Sequence, residues 1–220
     1  MQRIFGIYGA GGYGREVLPL LRDKLQSQLT SNNINHEICF IVDEKVTSSV
    51  NGVLVYTFDE FCKINIEQKY FTVAIADSNV RSEIFCKCES HGIVPFSIEA
   101  NNSVIMDYVN IDSGAILSPF TCITSNVKIG KSFHANLYSY VAHDCIIGDF
   151  VTFAPGVKCN GNVIIEDYAY IGSGAVIRPG TKQKPLIIGS HAVVGMGAIV
   201  TKSVPPNKTV FGNPAKLLGR

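Results

Sequence analysis

The chain has 220 residues, enough for one large domain or two modest ones. Apolar residues make up 46% and charged residues 17%, with 19 Lys and Arg against 18 Asp and Glu, a net charge of +1. That balance argues against disorder and gives no electrostatic reason to invoke nucleic acid or an anionic membrane. No apolar stretch approaches the roughly 18–20 residues of a membrane span, and the N-terminus does not read as a signal peptide. The 7 cysteines are scattered without a CxxC pair and read as reduced thiols, which points to the cytoplasm.

The first hundred residues alternate strand and helix. Residues 4–8 read as a buried strand and lead into Gly9-Ala10-Gly11-Gly12-Tyr13-Gly14. A helix is expected from Arg15 to about Gln28. A second strand at residues 38–42 ends at Asp43-Glu44, and a short third lies at residues 53–56. A short helix follows at about 58–64, a strong strand at 71–76, a helix from Asn79 to about His91 and a last strand at 94–98. This order predicts a small parallel sheet wound like a shortened, Rossmann-like nucleotide-binding fold, occupying residues 1–100.

From residue 101 to 220 the rhythm changes. An aliphatic or small residue returns every sixth position, through Ile105, Ile111, Leu117, Ile123, Ile129, Ala135, Val141, Ile147, Phe153, Cys159, Ile165, Ile171 and Ile177. The series resumes at Ile188, Val194 and Val200. A hexapeptide period belongs to a parallel β-helix, here spanning about residues 103–205. Three hexads per triangular coil stack residues 18 apart, about sixteen hexads giving a little over five coils. Lys182-Gln183-Lys184-Pro185-Leu186 breaks the register and should bulge outward. Pro205-Pro206 should end the coil.

Two features carry chemistry. The glycines between strand and helix match G-x-G-x-x-G, which brings a backbone close to phosphate or ribose at a helix N-terminus. A NAD-dependent oxidoreductase, a purely structural turn and a nucleotide-linked ligand all fit the motif. The repeat leaves no room for a full dinucleotide domain beside a catalytic one, which favours the nucleotide-linked ligand. The second feature is His143, two residues after anchor Val141 and so expected to face outward, with Asp144 next to it. Its stacked neighbours Ser125, Gly161 and Pro179 are small or compact and should leave a groove beside the imidazole. His134 and His143 are nine residues apart, half a coil, so they should not share a metal.

The repeat behind a Gly-rich α/β domain resembles the left-handed β-helix acyltransferases that modify nucleotide-linked amino sugars. Residues 133–145 and 147–161 are especially similar to GDP-perosamine N-acetyltransferases and to the enzymes acting on dTDP-4-amino-4,6-dideoxyglucose. The UDP-4-amino-sugar N-acetyltransferase of bacillosamine synthesis is a more distant relative. The resemblance implies that acetyl-CoA is co-substrate, that no metal is used, and that the C4 amine of a nucleotide-linked 4-amino-4,6-dideoxyhexose is acetylated for surface polysaccharide synthesis. It implies His143 as general base and Asp144 as the residue that raises its basicity. Gly11, Gly12 and Tyr13 then match one sugar-nucleotide contact, Asp43 and Glu44 a second and Ala76 a third. Thr152, Ser173 and Met196 match acetyl-CoA contacts, although the bacillosamine enzyme has histidine where Thr152 stands. A homotrimer is implied as well. A sugar O-acetyltransferase, an inactive nucleotide-sugar-binding scaffold and a γ-carbonic-anhydrase-like metalloenzyme are the alternative readings.

Overall fold

The computed structural model describes residues 2–29 and 36–218. The chain divides into two compact units, Met1–Asn101 and Asn102–Arg220.

The first unit is a six-stranded sheet. Its elements are β1 (Arg3–Tyr8), α1 (Gly12–Leu29), β2 (His36–Val42), β3 (Ser49–Val50), β4 (Val53–Thr57), α2 (Phe58–Lys63), β5 (Gln68–Val73), α3 (Ser78–Ser90) and β6 (Val94–Pro95). Strand order is β3-β4-β2-β1-β5-β6, parallel throughout except for the β3–β4 hairpin. The hairpin is an addition to the sequence reading. Asn51 and Gly52 both have positive φ, the geometry of a tight two-residue turn. The expected strand over 94–98 is instead two short pieces, Val94–Pro95 and Ile98–Glu99. Helix α1 buries Val17, Leu18, Leu21 and Leu25, one face at helical spacing. Helix α2 starts in a capping box, with Thr57 and Glu60 each satisfying the other's backbone N–H.

Strand order reverses at β1: β2 and β4 extend to one side of it, β5 and β6 to the other. The crevice at the C-terminal ends of strands flanking such a reversal is where α/β sheets place ligands. The loops following β1 and β5 meet there.

The second unit is a left-handed parallel β-helix of two- and three-residue strands in three sheets. On one face Ile116-Leu117, His134-Ala135, Thr152-Phe153 and Tyr170-Ile171 follow each other in register at 18-residue steps. The second residue of each of these strands points inward, as does the last residue of Val163–Ile165 and of Leu186–Ile188. Ile123, Val141, Ile147, Phe153, Cys159, Ile165, Ile171 and Ile177 are all buried in one continuous core. Ile111 is only half-buried and Ile105 is 40% exposed. Both stand in the first coil, where fewer stacked neighbours cover an inward side chain.

The interruption behaves as expected. Ile165 pairs with Ile188, a step of 23 in place of 18, and the extra residues leave the coil. Thr181 and Lys184 close that loop with reciprocal backbone bonds of 3.0 Å. The C-terminal expectation needs correction. Pro205 and Pro206 do not end the stack: Thr209–Phe211 adds a parallel strand beside Val193-Val194, and Lys216–Leu217 returns antiparallel against it. The prolines fall at a turn, where no ladder N–H is required of them, so the strand resumes beyond.

Ile-Gly pairs in the repeat have a packing cause. A Cβ on Gly130 would collide with Asp149, and one on Gly148 with Asp167. Those carboxylates accept from the coil before them, Lys131 N at 2.8 Å and Asp149 N at 2.8 Å. Replacing Ile147 by Ala should destabilise the fold by about 2–5 kcal/mol, since it opens a cavity between stacked coils. Urea unfolding of both proteins checks this, with the midpoint expected to fall and the slope to stay.

Candidate active site

His143 and Asp144 form a turn between the strands Tyr140–Val141 and Ile146–Ile147. Backbone bonds fix it to the coils on either side. Asp144 N donates to Ser125 O at 3.2 Å, and His143 O accepts from Asn162 N at 3.0 Å. Asp144 has φ +59, a left-handed conformation that Asp tolerates better than most residues. The turn throws both side chains outward, 60% and 49% exposed.

The imidazole Nδ1 lies 2.7 Å from Asp144 Oδ2. A carboxylate accepts only, so Nδ1 is the donor, and in the neutral ring Nε2 then keeps its lone pair. The ring rests on Gly161: a Cβ there would come within 2.6 Å of both Cε1 and Nε2. Glycine at the stacked position therefore makes the imidazole's seat, as the spacing anticipates. Cys145, one residue on, is buried and donates its thiol to Asn160 O at 3.2 Å. It faces the core and not the groove, so it is no nucleophile for this site. Among the described residues no three His, Cys, Asp or Glu side chains converge as a metal site would require. His134 is buried on another face of the coil.

In the first unit the four glycines of residues 9–14 divide their labour. Gly9 has φ +106 and makes the turn. A Cβ on Gly14 would strike Gly9 O, so Gly14 permits the close approach of helix and strand. Gly11 and Gly12 are exposed, and a Cβ on either meets nothing within 4 Å. Their openness serves whatever lies against the loop. Tyr13 is half-buried and Ala76 is exposed at the loop after β5.

Asp43 and Glu44 are exposed beyond β2, but Asp43 is not idle. Its Oδ1 accepts from Tyr8 Oη at 2.6 Å and lies 3.3 Å from Lys87 Nζ. Burial, and then the Asp43 carboxylate, push the Tyr8 phenol well above its ordinary value, so it remains a donor. The Lys87 ammonium also sits over the Phe58 ring, 4.1 Å from its centroid. Tyr8 and Lys87 thus orient Asp43 and leave Oδ2 for another partner. Sequence reasoning missed both, because the contacts span 35 and 44 positions.

Thr152, Ser173 and Met196 are placed differently from His143. The turns form three columns down the coil. Asn126, Asp144 and Asn162 share one; Ser132, Phe150, Tyr168 and His191 share the second; Tyr138, Gly156, Gly174 and Gly197 share the third. Ser173 and Met196 precede Gly174 and Gly197 and are exposed on the third column, joined by the Gly197 N to Ser173 O bond of 2.8 Å. Thr152 lies on the strand leading into that column and is buried. Within one chain the structure does not bring these three to His143.

A hexapeptide β-helix with an outward His–Asp pair, behind a Gly-rich α/β unit, defines a hexapeptide-repeat acyltransferase. Residues 5–88 match the PglD N-terminal domain family. The chain is 51% identical to a GDP-perosamine N-acetyltransferase of Escherichia coli O157:H7, over 99% of this chain and 97% of that protein. It is similar in structure to WeeI from Acinetobacter baumannii AYE, with a TM-score of 0.92 and 52% identity over 98% of this chain and 100% of that one. The acetyltransferase domain of PglB from Neisseria gonorrhoeae FA1090, solved with acetyl coenzyme A, gives a TM-score of 0.83 at 26% identity over 99% and 100% of the two chains. The chain belongs to the sugar-nucleotide N-acetyltransferases of the GDP-perosamine type, within the hexapeptide-repeat acyltransferases.

Two substitutions test the His143 corner and the glycine loop separately. Gly161→Ala should push the His143 ring off its seat and lower kcat about 10²-fold while the fold persists, the effect of misplacing a reacting group by about an ångström. Steady-state acetyl transfer with a circular dichroism control measures it. Gly11→Val should weaken binding of the nucleotide-linked sugar far more than that of acetyl-CoA, since the new side chain fills space the chain itself leaves open. Separate calorimetric titrations of the two ligands decide this.

Proposed function

We propose that the protein transfers acetyl from acetyl-CoA to the C4 amine of a GDP-perosamine-type nucleotide-linked 4-amino-4,6-dideoxyhexose. The observation that carries the reading is the His143–Asp144 pair, with Nδ1 on the carboxylate and the ring seated on Gly161. The amine must be neutral to attack, because an ammonium has no lone pair. His143 Nε2 takes a proton from the nitrogen as the C–N bond to the thioester carbonyl forms. Asp144 holds the ring and stabilises the imidazolium. The tetrahedral intermediate then expels the thiolate, which receives the proton from His143, and free CoA and the amide leave. A backbone N–H is the natural stabiliser of the oxyanion. No acyl-enzyme is needed, in keeping with the buried position of Cys145.

In this reading residues 1–100 hold the nucleotide. Gly11, Gly12 and Tyr13 line the diphosphate and sugar, and Asp43, Glu44 and Ala76 complete the crevice at the strand-order reversal. Residues 101–220 hold acetyl-CoA, with Ser173 and Met196 as contacts and Thr152 behind them. Those contacts occupy a different turn column from His143, so a site that unites them needs a second copy of the chain. A homotrimer, in which one subunit's histidine faces its neighbour's CoA groove, meets that need. Among the described residues no helix is long and apolar enough to cross a membrane. A cytoplasmic enzyme feeding surface polysaccharide assembly fits the reduced thiols and the nucleotide-linked acceptor.

The test is steady-state acetylation of GDP-, dTDP- and UDP-linked 4-amino sugars, followed by thiol release. His143→Asn should lower kcat by about 10²–10⁴ and leave both binding constants nearly unchanged. Asp144→Asn should cost less, since it keeps an acceptor for Nδ1–H but loses the charge. Near wild-type turnover by folded His143→Asn from about pH 6 to about pH 9, a range around imidazole's ~6.5, would remove the general base. Acetylation of a sugar hydroxyl in preference to the amine would make the enzyme an O-acetyltransferase.

A further inference from the structure

Arg81 is the largest fully buried side chain in the protein, with a relative exposure of 0%. A guanidinium has five donors and no acceptor, and taking it out of water is costly unless oxygens replace the lost hydration. Its Nη1 donates to Ile75 O at 2.9 Å and to Ala76 O at 3.0 Å. Those two carbonyls belong to the loop after β5, on one side of the strand-order reversal. The residue's own backbone N–H donates to Asp77 O at 2.9 Å. Asp77 in turn caps α3, accepting from Asn79 N and Val80 N at 3.0 Å. Arg81 therefore folds back across the first turn of its helix and ties off the loop that precedes it.

The Asp77 carboxylate also acts electrostatically on the guanidinium. Burial brings its pKa down to about 10, so it is still a cation at neutral pH. A residue that only filled this space could be apolar, since replacing a buried charge by a well-packed hydrophobe is often neutral or stabilising. The guanidinium does something an apolar side chain cannot: its Nη1 donates to two consecutive carbonyls, fixing their direction and with them the exposed edge at Ala76.

We propose that Arg81 is a positioning residue of the acceptor site, holding the Ile75–Ala76 loop in the shape that receives the nucleotide-linked sugar. The proposal rests on the reading that this sugar binds at the N-terminal loops. In this role Arg81 acts through the loop and is assigned no part in binding acetyl-CoA or in the chemical step.

The test uses the full chain with Arg81→Met, Arg81→Lys and Gly11→Val in one acetylation assay, with acetyl-CoA and a GDP-linked 4-amino-4,6-dideoxyhexose varied in turn. Arg81→Met should raise the acceptor KM roughly tenfold or more, with kcat at saturation and the acetyl-CoA KM within about twofold of wild type, the pattern of lost binding common to ground and transition states. Arg81→Lys keeps the cation on a shorter, differently shaped side chain and should fall between. Calorimetric titration of the acceptor alone should reproduce the order. If Gly11→Val raises the acceptor KM while folded Arg81→Met does not, the positioning role is overturned and the acceptor site stands. If Gly11→Val leaves that KM unchanged, the acceptor binds elsewhere and both readings fall together. Equal loss in both KM values, or failure of both Arg81 variants to fold, would make Arg81 a residue of the fold alone and overturn the proposal.

Discussion

Everything in the second unit depends on one constraint: each coil must lay its short strands in register on the coil before. With two-residue strands there is little ladder per coil, so the inward residue must match the shape of its counterpart 18 positions away. Ile147 stacks on Ile129 and Ile165, and Val141 on Ile123 and Cys159. The chain must also turn after every strand, which forces residues into the left-handed region at each corner. Glycine takes some of those positions. Others hold aromatic residues that stack, as Tyr168 does on His191 with centroids 4.6 Å apart and nearly parallel rings. The strain of a non-glycine residue there, about 1–2 kcal/mol, is offset in part by that stacking.

The His143–Asp144 pair is a product of the same constraint. A residue two places past an anchor lies in the turn, points away from the core and is fixed by backbone bonds to both neighbouring coils. His143 is thereby held on a rigid corner, and the adjacent left-handed Asp144 is turned back onto its ring. The glycine one coil on supplies room. No part of this arrangement calls for a flexible loop, which suits the proton-transfer role proposed for His143.

The first unit solves a different problem. Its sheet changes winding direction at β1, and the loops on either side of that reversal are left to hold a ligand. Glycines keep the first loop low, the Tyr8–Asp43–Lys87 cluster sets the carboxylate beyond β2, and a buried guanidinium ties off the loop after β5. The two units share a logic in which rigid neighbours aim exposed groups.

The sequence by itself determined the period, and with it the β-helix, the inward face and the exposure of His143, because a six-residue repeat leaves a side chain only one way to point. It also carried the strand–glycine–helix signature, since those signals are local. Its reading stopped where local signals mislead or vanish. Two prolines looked like a terminus, yet they occupy a turn and the stack continues through Thr209–Phe211. Asn51-Gly52 was a legible hairpin signal that the short flanking strands concealed. Only the tertiary structure decided which groups meet outside the repeat: Asp43 with Tyr8 and Lys87, and Arg81 with the carbonyls of Ile75 and Ala76. It also set His143 and Ser173 on separate corners of the coil. The physical reason is that hydrogen bonds and van der Waals contacts act over a few ångströms, and which residues come within that range is fixed by how sheets and coils close, not by their order along the chain.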